Sequence, residues 1–201
     1  MRIGLDFDNT LVRYDDLFHQ AARETGLIPD SVPNQKTAIR DWLREAGRED
    51  AWTRLQGEIY GLRIAQAPTF EGVLEFVHAC KESDCRTIIV SHKTRHPVLG
   101  PSFDLHQAAR TWLESRGFFD AGVDPADVYF ESTQAEKIDR ITSLTLSLFV
   151  DDLPEFLLEP SFPSGPKRIL FDPSMRHPEN SAYCRISNWK DIQSTVLDGA
   201  R

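Results

Sequence analysis

The stretch MRIGLDFDNT, residues 1–10, predicts a buried strand that ends in two carboxylates. Apolar residues lead directly into Asp6 and Asp8, which are separated by Phe7 and followed by Asn9 and Thr10. A charge that is buried without a partner is costly, so proteins rarely tolerate one. Either the two aspartates lie in a solvated turn, or a positively charged group meets them there.

The rest of the chain contains four further short β-rich runs, and these are continuously apolar rather than alternating. That pattern is typical of parallel strands covered on both faces. Amphipathic helical patterns separate the runs, which indicates an α/β fold with a doubly wound, Rossmann-like parallel sheet. The predicted strands are Arg2–Leu5, Thr87–Val90, Val128–Phe130, Leu146–Val150 and Arg168–Phe171, and the predicted helices between them are Phe70–Glu82, Leu105–Arg116 and about Gln134–Ser143.

About eighty residues separate the first two strands, far more than one crossover connection needs. Three amphipathic segments fill this gap, at Asp15–Thr25, Thr37–Ala46 and Glu49–Arg63. We therefore predict a small helical insertion at 15–66 and a catalytic core made of 1–14 and 67–201. Ligands of open α/β sheets bind outside the carboxyl ends of the strands. An insertion that leaves the end of the first strand is expected to lie over that crevice as a lid.

Composition limits the classes of partner. The chain has 201 residues and a net charge of −8, which argues against nucleic acid because phosphate backbones require basic surface. No apolar run has the length needed to span a membrane, and no signal pattern is present at residue 1. The three cysteines, Cys80, Cys85 and Cys184, have no metal-like pairing and are expected to be reduced thiols in a cytoplasmic protein. No feature of the sequence indicates an oligomeric state.

Polar side chains follow four of the five predicted strands. They are Asp6 and Asp8 after the first, Ser91, His92, Lys93 and Arg95 after the second, Lys137 after the third, and Asp151 and Asp152 after the fourth. The topology brings these positions to the same edge of the sheet. Several carboxylates in one place must be neutralised, and Mg²⁺ does this with hard oxygen ligands while it retains water molecules.

This combination of groups suits phosphoryl transfer. An aspartate such as Asp6 is a competent nucleophile toward phosphorus. Asp8 lies two residues later, points to the same side of an extended segment, and can protonate the leaving oxygen and then activate water. The hydroxyl of Ser91 and the ammonium of Lys137 can hold the transferring phosphoryl oxygens.

The segments DFDNT, VSHKT, EKIDR and FVDD resemble, in order and spacing, the four motifs of the haloacid dehalogenase-like (HAD) hydrolase superfamily. The resemblance covers the whole predicted sheet domain, and the insertion is similar to the helical cap of many members. It implies Asp6 as nucleophile, Asp8 as general acid and base, and Thr10 as a supporting residue of the turn. It implies Ser91 and Lys137 as phosphate contacts, and Mg²⁺ held by Asp6, Asp8, Asp151 and Asp152. Members of the dehalogenase branch lack the second carboxylate, so Asp8 favours phosphoester chemistry.

Several assignments stay open at this point. Lys93 is a rival to Lys137, and the sequence does not decide which of Asp151 and Asp152 ligates the metal directly. The basic segment with His92, Lys93 and Arg95 is either a solvated loop or a site for a second anionic group of the substrate. Trp112 and Trp189 are expected to be core residues.

The resulting hypothesis is a Mg²⁺-dependent phosphatase that hydrolyses a small phosphorylated metabolite through an aspartyl-phosphate. A phosphomutase or another phosphotransferase would use the same site. A receiver-like signalling module is the alternative of a different class, but there the phosphorylated aspartate follows the third strand, where this chain has Glu131. A catalytically idle binding module is a further alternative, although each motif position holds a competent residue.

Overall fold

The computed structural model of the protein describes residues 1–197, so the last four residues of the predicted core, 198–201, lie outside the described residues. These residues form a six-stranded sheet in which every pair of neighbouring strands is parallel, in the order β3-β2-β1-β4-β5-β6. Its strands are β1 Arg2–Leu5, β2 Arg86–His92, β3 Val128–Glu131, β4 Leu148–Asp151, β5 Lys167–Phe171 and β6 Cys184–Ile186. The predicted α/β fold with a doubly wound parallel sheet is confirmed.

All five predicted strands are present: the first has the predicted bounds, and the ends of the others differ from the prediction by at most two residues. The sixth strand was not predicted, because Cys184–Ile186 has three residues with an arginine in the middle and carries no apolar run. Its pairing with β5, in which Leu170 lies opposite Arg185, makes it the edge strand of the sheet. An edge strand tolerates a polar sequence because one of its sides is not covered by another strand.

The helices of the described residues follow the predicted pattern where that pattern was strong. Their bounds are α1 Asp15–Glu24, α2 Lys36–Glu45, α3 Glu49–Gly57, α4 Val73–Glu82, α5 Leu105–Ser115, α6 Phe118–Ala121, α7 Gln134–Leu144, α8 Pro154–Leu157 and α9 Trp189–Leu197. The short helices α6 and α8 and the terminal helix α9 were not predicted. The predicted helix Glu49–Arg63 is α3 continued by a π-helical turn at Glu58–Leu62.

The described chain divides into two compact units. The α/β unit consists of Met1–Val12, Thr69–Lys93 and the chain from Leu113 onward, and the helical unit consists of Arg13–Pro68 and Thr94–Trp112. The chain leaves and re-enters the α/β unit through an antiparallel bridge between Val12 and Thr69. The helical unit thus has a second segment, 94–112, beyond the insertion that the sequence indicated at 15–66.

The sheet of the α/β unit is covered by helices on both faces. The helix α7 packs on β2 and β3, and α8 packs on β4 and β5. Apolar side chains from these elements form a continuous buried cluster: Ile88, Val90, Ile138, Ile141, Leu144, Leu146, Phe149, Phe156, Leu157, Phe162, Leu170 and Tyr183. Burial of each such side chain contributes about 1.5–3 kcal/mol relative to exposure, so this layer holds α7 firmly against the sheet.

The helical unit has its own aromatic core. Phe18 packs against Trp52 and Tyr60, with ring centroids 5.1 and 5.7 Å apart. The ammonium of Lys36 lies 5.4–5.9 Å from the rings of Tyr14, Phe18 and Tyr60, an arrangement that cation–π attraction favours. The predicted core residue Trp112 is buried here, and its indole N–H donates to the Ala67 carbonyl at 2.9 Å.

The segment 94–112 approaches the π-helical turn of the same unit closely. A Cβ added at Gly61 would lie 2.9 Å from the Cβ and Cδ2 atoms of Phe103. Only a glycine permits that distance, so the small residue at position 61 lets the two segments of the helical unit pack together. The sequence pattern of 94–112 does not indicate this packing against the π-helical turn.

Among the described residues, no helix has the length and apolar character needed to cross a bilayer.

Candidate active site

Two adjacent strands bring the first and fourth motifs together. Leu5 of β1 pairs with Val150 of β4, and the Asp6 amide still donates to the Val150 carbonyl at 2.9 Å. The next residues along the two strands are therefore Asp6 and Asp151, side by side at the carboxyl edge of the sheet. Both are buried, with exposed fractions of 5% and 0%.

A tight turn follows β1 and carries the second aspartate. The amides of Leu11 and Val12 both donate to the Phe7 carbonyl, at 3.0 and 3.2 Å. Asn9 has a φ of +57°, a left-handed conformation that asparagine tolerates better than most residues with a side chain. Thr10 is fully buried in this turn, and its hydroxyl has no hydrogen-bond partner among residues 1–197.

The helix α7 supplies the lysine of the site. A capping box fixes its first turn: the Thr133 hydroxyl accepts from the Glu136 amide at 3.1 Å, and the Glu136 carboxylate accepts from the Thr133 amide at 3.0 Å. Lys137 comes next and points to the sheet edge. Its Nζ donates to Asp6 Oδ1 and to Asp151 Oδ2, each at 2.7 Å, and its side chain is 4% exposed.

One ammonium between two buried carboxylates leaves an excess of negative charge. Burial raises the pKa of Asp6 to about 7, Lys137 opposes this rise, and Asp151 adds to it. Burial acts to lower the pKa of Lys137, but the attraction of Asp151 and Asp6 outweighs it and the pKa is raised. Lys137 is thus held as a cation between the two aspartates.

A third carboxylate joins this pair. Asp6, Asp151 and Asp152 can each offer one oxygen such that all three oxygens lie within 4.8 Å of one another, and we call these residues the carboxylate cluster. The turn after β4 is held by the Leu153 amide, which donates to Asp151 Oδ1 at 2.9 Å. When all three carboxylates are ionised, they and the one ammonium leave an excess of about two negative charges, which suits a divalent cation with a preference for oxygen ligands.

The Asp8 carboxylate contacts a different lysine. The Lys93 Nζ donates to both of its oxygens, at 3.0 and 2.8 Å, and the Lys93 side chain is 2% exposed. Lys93 directly follows β2, and its amide donates to the Glu131 carbonyl at 2.8 Å. Each aspartate of the DFDNT turn thus has its own lysine, a pairing that the spacing in the sequence does not reveal.

The other predicted site residues lie in different environments. Ser91 is 1% exposed and lies near the carboxyl end of β2. His92 is exposed, and its Nε2 lies 3.1 Å from the Ser132 carbonyl oxygen. Arg95 belongs to the helical unit, where it forms an exposed ion pair with Asp104. The basic segment is therefore divided, with Lys93 buried in the α/β unit and Arg95 exposed in the helical unit.

Aromatic rings line both lysines, and the sequence motifs do not indicate these contacts. The Lys137 Nζ lies 4.0 Å from the Phe156 ring centroid and 5.3 Å from that of Phe149. The Lys93 Nζ lies 5.4 Å from the Phe7 ring. These rings exclude water from the ammonium groups and favour their charge through cation–π attraction. Phe156 is in a short helix without a pattern of its own, so no sequence signal marks its role.

The architecture matches many solved structures over nearly their full length. A predicted phosphoglycolate phosphatase from Haemophilus somnus superimposes with a TM-score of 0.60 at 16% identity, covering 97% of each chain. The chain has the HAD fold. A HAD-family hydrolase from Deinococcus radiodurans with bound phosphate and sodium gives 0.59 at 13% identity, over 99% of this chain and 96% of that one. A dehalogenase gives 0.61 at 12% identity, over 97% and 96%.

Comparisons of sequence alone find no relative. No family model matches the chain, and a search of curated proteins returns no match. The likeness therefore lies in the HAD fold.

Proposed function

We propose that the protein is a Mg²⁺-dependent phosphatase that hydrolyses a small phosphorylated metabolite through an aspartyl-phosphate on Asp6. The observation that carries the proposal is the placement of Asp6 at the carboxyl edge of the sheet. There it contacts Lys137 at 2.7 Å and belongs to the carboxylate cluster, and Asp8 lies two residues further along the chain.

The carboxylate cluster fits a divalent metal by its chemistry. Its oxygens are hard ligands, and its excess of negative charge is of the size that one divalent cation neutralises. Asp6, Asp151 and Asp152 would hold the ion. Asp8, which the sequence also suggests as a ligand, lies outside this cluster, and both of its carboxylate oxygens accept from Lys93. When bound, Mg²⁺ supplies positive charge that offsets the charge of the phosphoryl oxygens.

The residues of the site have distinct tasks in this reaction. An oxygen of Asp6 forms a bond to phosphorus while the bond between phosphorus and the leaving oxygen breaks, and Asp8 gives a proton to that oxygen. Water then attacks the phosphorus of the aspartyl-phosphate and passes its proton to Asp8. The bond between phosphorus and the Asp6 oxygen breaks, and its electron pair returns to the Asp6 carboxylate. Lys137 restrains Asp6, and Ser91 and Thr10 offer hydroxyl groups near the same edge.

Asp8 favours phosphoester cleavage over carbon–halogen cleavage. A halide leaves as a stable anion, whereas an alkoxide leaving group needs a proton. A second carboxylate beside the nucleophile therefore has a task in a phosphatase and none in a dehalogenase. Support also comes from the neighbours with the HAD fold, one described as a predicted phosphoglycolate phosphatase and another with bound phosphate, although a dehalogenase is among them.

The test is hydrolysis of 4-nitrophenyl phosphate by the wild type and by Asp6→Asn, with Mg²⁺ and with chelator. We expect turnover only by the wild type with Mg²⁺. Equal rates for the two proteins, or no turnover by the wild type with Mg²⁺ present, would refute the mechanism. A panel of phosphorylated metabolites then gives the substrate class, and release of inorganic phosphate distinguishes a phosphatase from a phosphomutase.

A further inference from the structure

We propose that Lys93 is a positioning residue that orients the Asp8 carboxylate for proton transfer, rather than a contact for a second anionic group of the substrate. The inference rests on the proposed function of the same site. It gives a role to the ammonium of Lys93, which has no task in the reaction proposed above.

The contact between Lys93 and Asp8 constrains the carboxylate at both oxygens. The Nζ atom donates to Oδ1 at 3.0 Å and to Oδ2 at 2.8 Å, so rotation of the carboxylate about its Cβ–Cγ bond weakens at least one hydrogen bond. Asp8 is 19% exposed at its side chain, which leaves room for a substrate oxygen to approach it. Lys93 therefore holds both oxygens from one side, while part of the carboxylate stays accessible to solvent.

Lys93 is itself held in place. Its amide donates to the Glu131 carbonyl at 2.8 Å, which extends the pairing of β2 with β3 by one residue. Its side chain is 2% exposed and its ammonium lies 5.4 Å from the ring of the fully buried Phe7. A long side chain with this degree of burial has lost most of its rotamer freedom, so it can fix the position of a partner.

The pairing of Lys93 inside the protein argues against its being a contact for a second anionic group. Its Nζ already donates to both oxygens of Asp8, whereas His92 and Arg95 present their charge-bearing groups at the surface. A buried ammonium requires an anion of the protein itself, because an unpaired buried charge is costly. Asp8 provides that anion.

Orientation of Asp8 matters in both halves of the proposed reaction. Asp8 gives a proton to the leaving oxygen as the phosphorus–oxygen bond breaks, and it regains a proton from the water that hydrolyses the aspartyl-phosphate. Each transfer needs a distance of about 2.6–3.2 Å between heavy atoms. Lys93 donates no proton in either step, and it keeps its hydrogen bond through the oxygen that does not carry the proton.

A double-mutant cycle distinguishes positioning of Asp8 by Lys93 from contact of Lys93 with the substrate. We compare the wild type, Lys93→Met, Asp8→Asn and the double variant in Mg²⁺ with an aryl phosphate and an alkyl phosphate. We expect Lys93→Met to lower kcat about 10- to 100-fold with little change in KM, since misplacement of a catalytic group has effects of this order. In the Asp8→Asn background the same substitution should change kcat less than about 3-fold, because residues that act as a unit are not additive.

The leaving group gives a second readout that a general loss of structure would not move. The alkyl phosphate needs its proton more than the aryl phosphate, so Lys93→Met should slow the alkyl ester more. The matched control is Arg86→Met, which breaks an ion pair with the buried Asp127 at the opposite end of β2 and should leave kcat unchanged for both esters.

Several results would overturn the inference. These are additive effects of the two substitutions, a rise in KM with unchanged kcat, or an equal loss for the two esters. If Lys93→Met does not fold, Lys93→Arg is the second variant. It keeps a cation and should retain activity within about tenfold of the wild type. A loss of activity as large as that of Asp8→Asn would contradict the positioning role of Lys93. An inactive wild type refutes the proposed function itself, whereas an active wild type with additive effects refutes only the role of Lys93.

Discussion

Replacement of Lys137 by methionine removes the ammonium that separates two buried carboxylates. The variant loses two hydrogen bonds of 2.7 Å to charged groups, each of which contributes about 1.5–3 kcal/mol. Removal of one partner of a buried ion pair costs about 3–5 kcal/mol because the remaining charge is uncompensated. We therefore expect the free energy of unfolding to fall by about 4 kcal/mol, a large part of the roughly 5–15 kcal/mol typical of a domain.

The assay is urea unfolding at pH 8 in the presence of a chelator, so that no divalent cation replaces the lost charge. The matched control is Arg44→Met. Arg44 and Glu49 form two hydrogen bonds of 2.7 and 2.9 Å, but both side chains are about half exposed, so the urea midpoint should hardly move. Equal losses in the two variants would refute the argument, because the expected difference comes from burial alone.

The pH dependence of this deficit has a defined sign. The pKa of Asp6 is raised from 3.8 to about 7 in the folded protein, so its contribution to stability is full below about pH 4 and is lost as the pH rises through 7. Without Lys137 the folded pKa should rise further. At pH 5 Asp6 is therefore mostly neutral in both proteins. The loss of unfolding free energy caused by Lys137→Met should be smaller at pH 5 than at pH 8. A deficit that grows toward pH 5 would contradict the charge balance described for the site.

Further predictions concern packing, a thiol and the metal. A Cβ at Gly4 would meet Leu146 and lie 2.5 Å from Phe149. Gly4→Ala should therefore lower the stability by about 1–3 kcal/mol, measured by thermal unfolding. An unchanged melting temperature would show that β1 can shift to make room. Burial raises the pKa of Cys80 to about 12, so iodoacetamide at pH 8 should label the exposed Cys184 in the folded protein and Cys80 only after unfolding. Mg²⁺ should stabilise the fold by about 2.7 kcal/mol at a hundredfold excess over Kd, and chelator should reverse the shift.

The parts of the fold that were predictable are those with strong local patterns. The continuous apolar run before Asp151 and the amphipathic helix Leu105–Ser115 each carry a signal within their own residues. The strand Cys184–Ile186 and the terminal helix Trp189–Leu197 lack one, because their stability comes from packing on β5 and α4. Trp189 was expected in the core and is fully buried, although the helix that carries it was not predicted.

The candidate site was predictable as a set of residues but not as a set of contacts. Parallel strands bring their carboxyl ends to one edge, and this places Asp6 beside Asp151 without further information. The choice between Lys93 and Lys137 depends instead on side-chain direction, which spacing does not determine. Lys137 reaches the edge from a capped helix and Lys93 from the end of a strand, and each meets a different aspartate.

The central claim is that Asp6 attacks phosphorus, and the most direct test is to identify the residue that becomes phosphorylated. The enzyme is mixed with an aryl phosphate and Mg²⁺, quenched in acid within the first turnover, digested and sequenced by mass spectrometry. We predict one phosphoryl group on Asp6, absent from Asp6→Asn and longer-lived in Asp8→Asn because water is no longer activated. Turnover with a phosphoryl group on another residue, or with none on Asp6 at any quench time, would contradict the account.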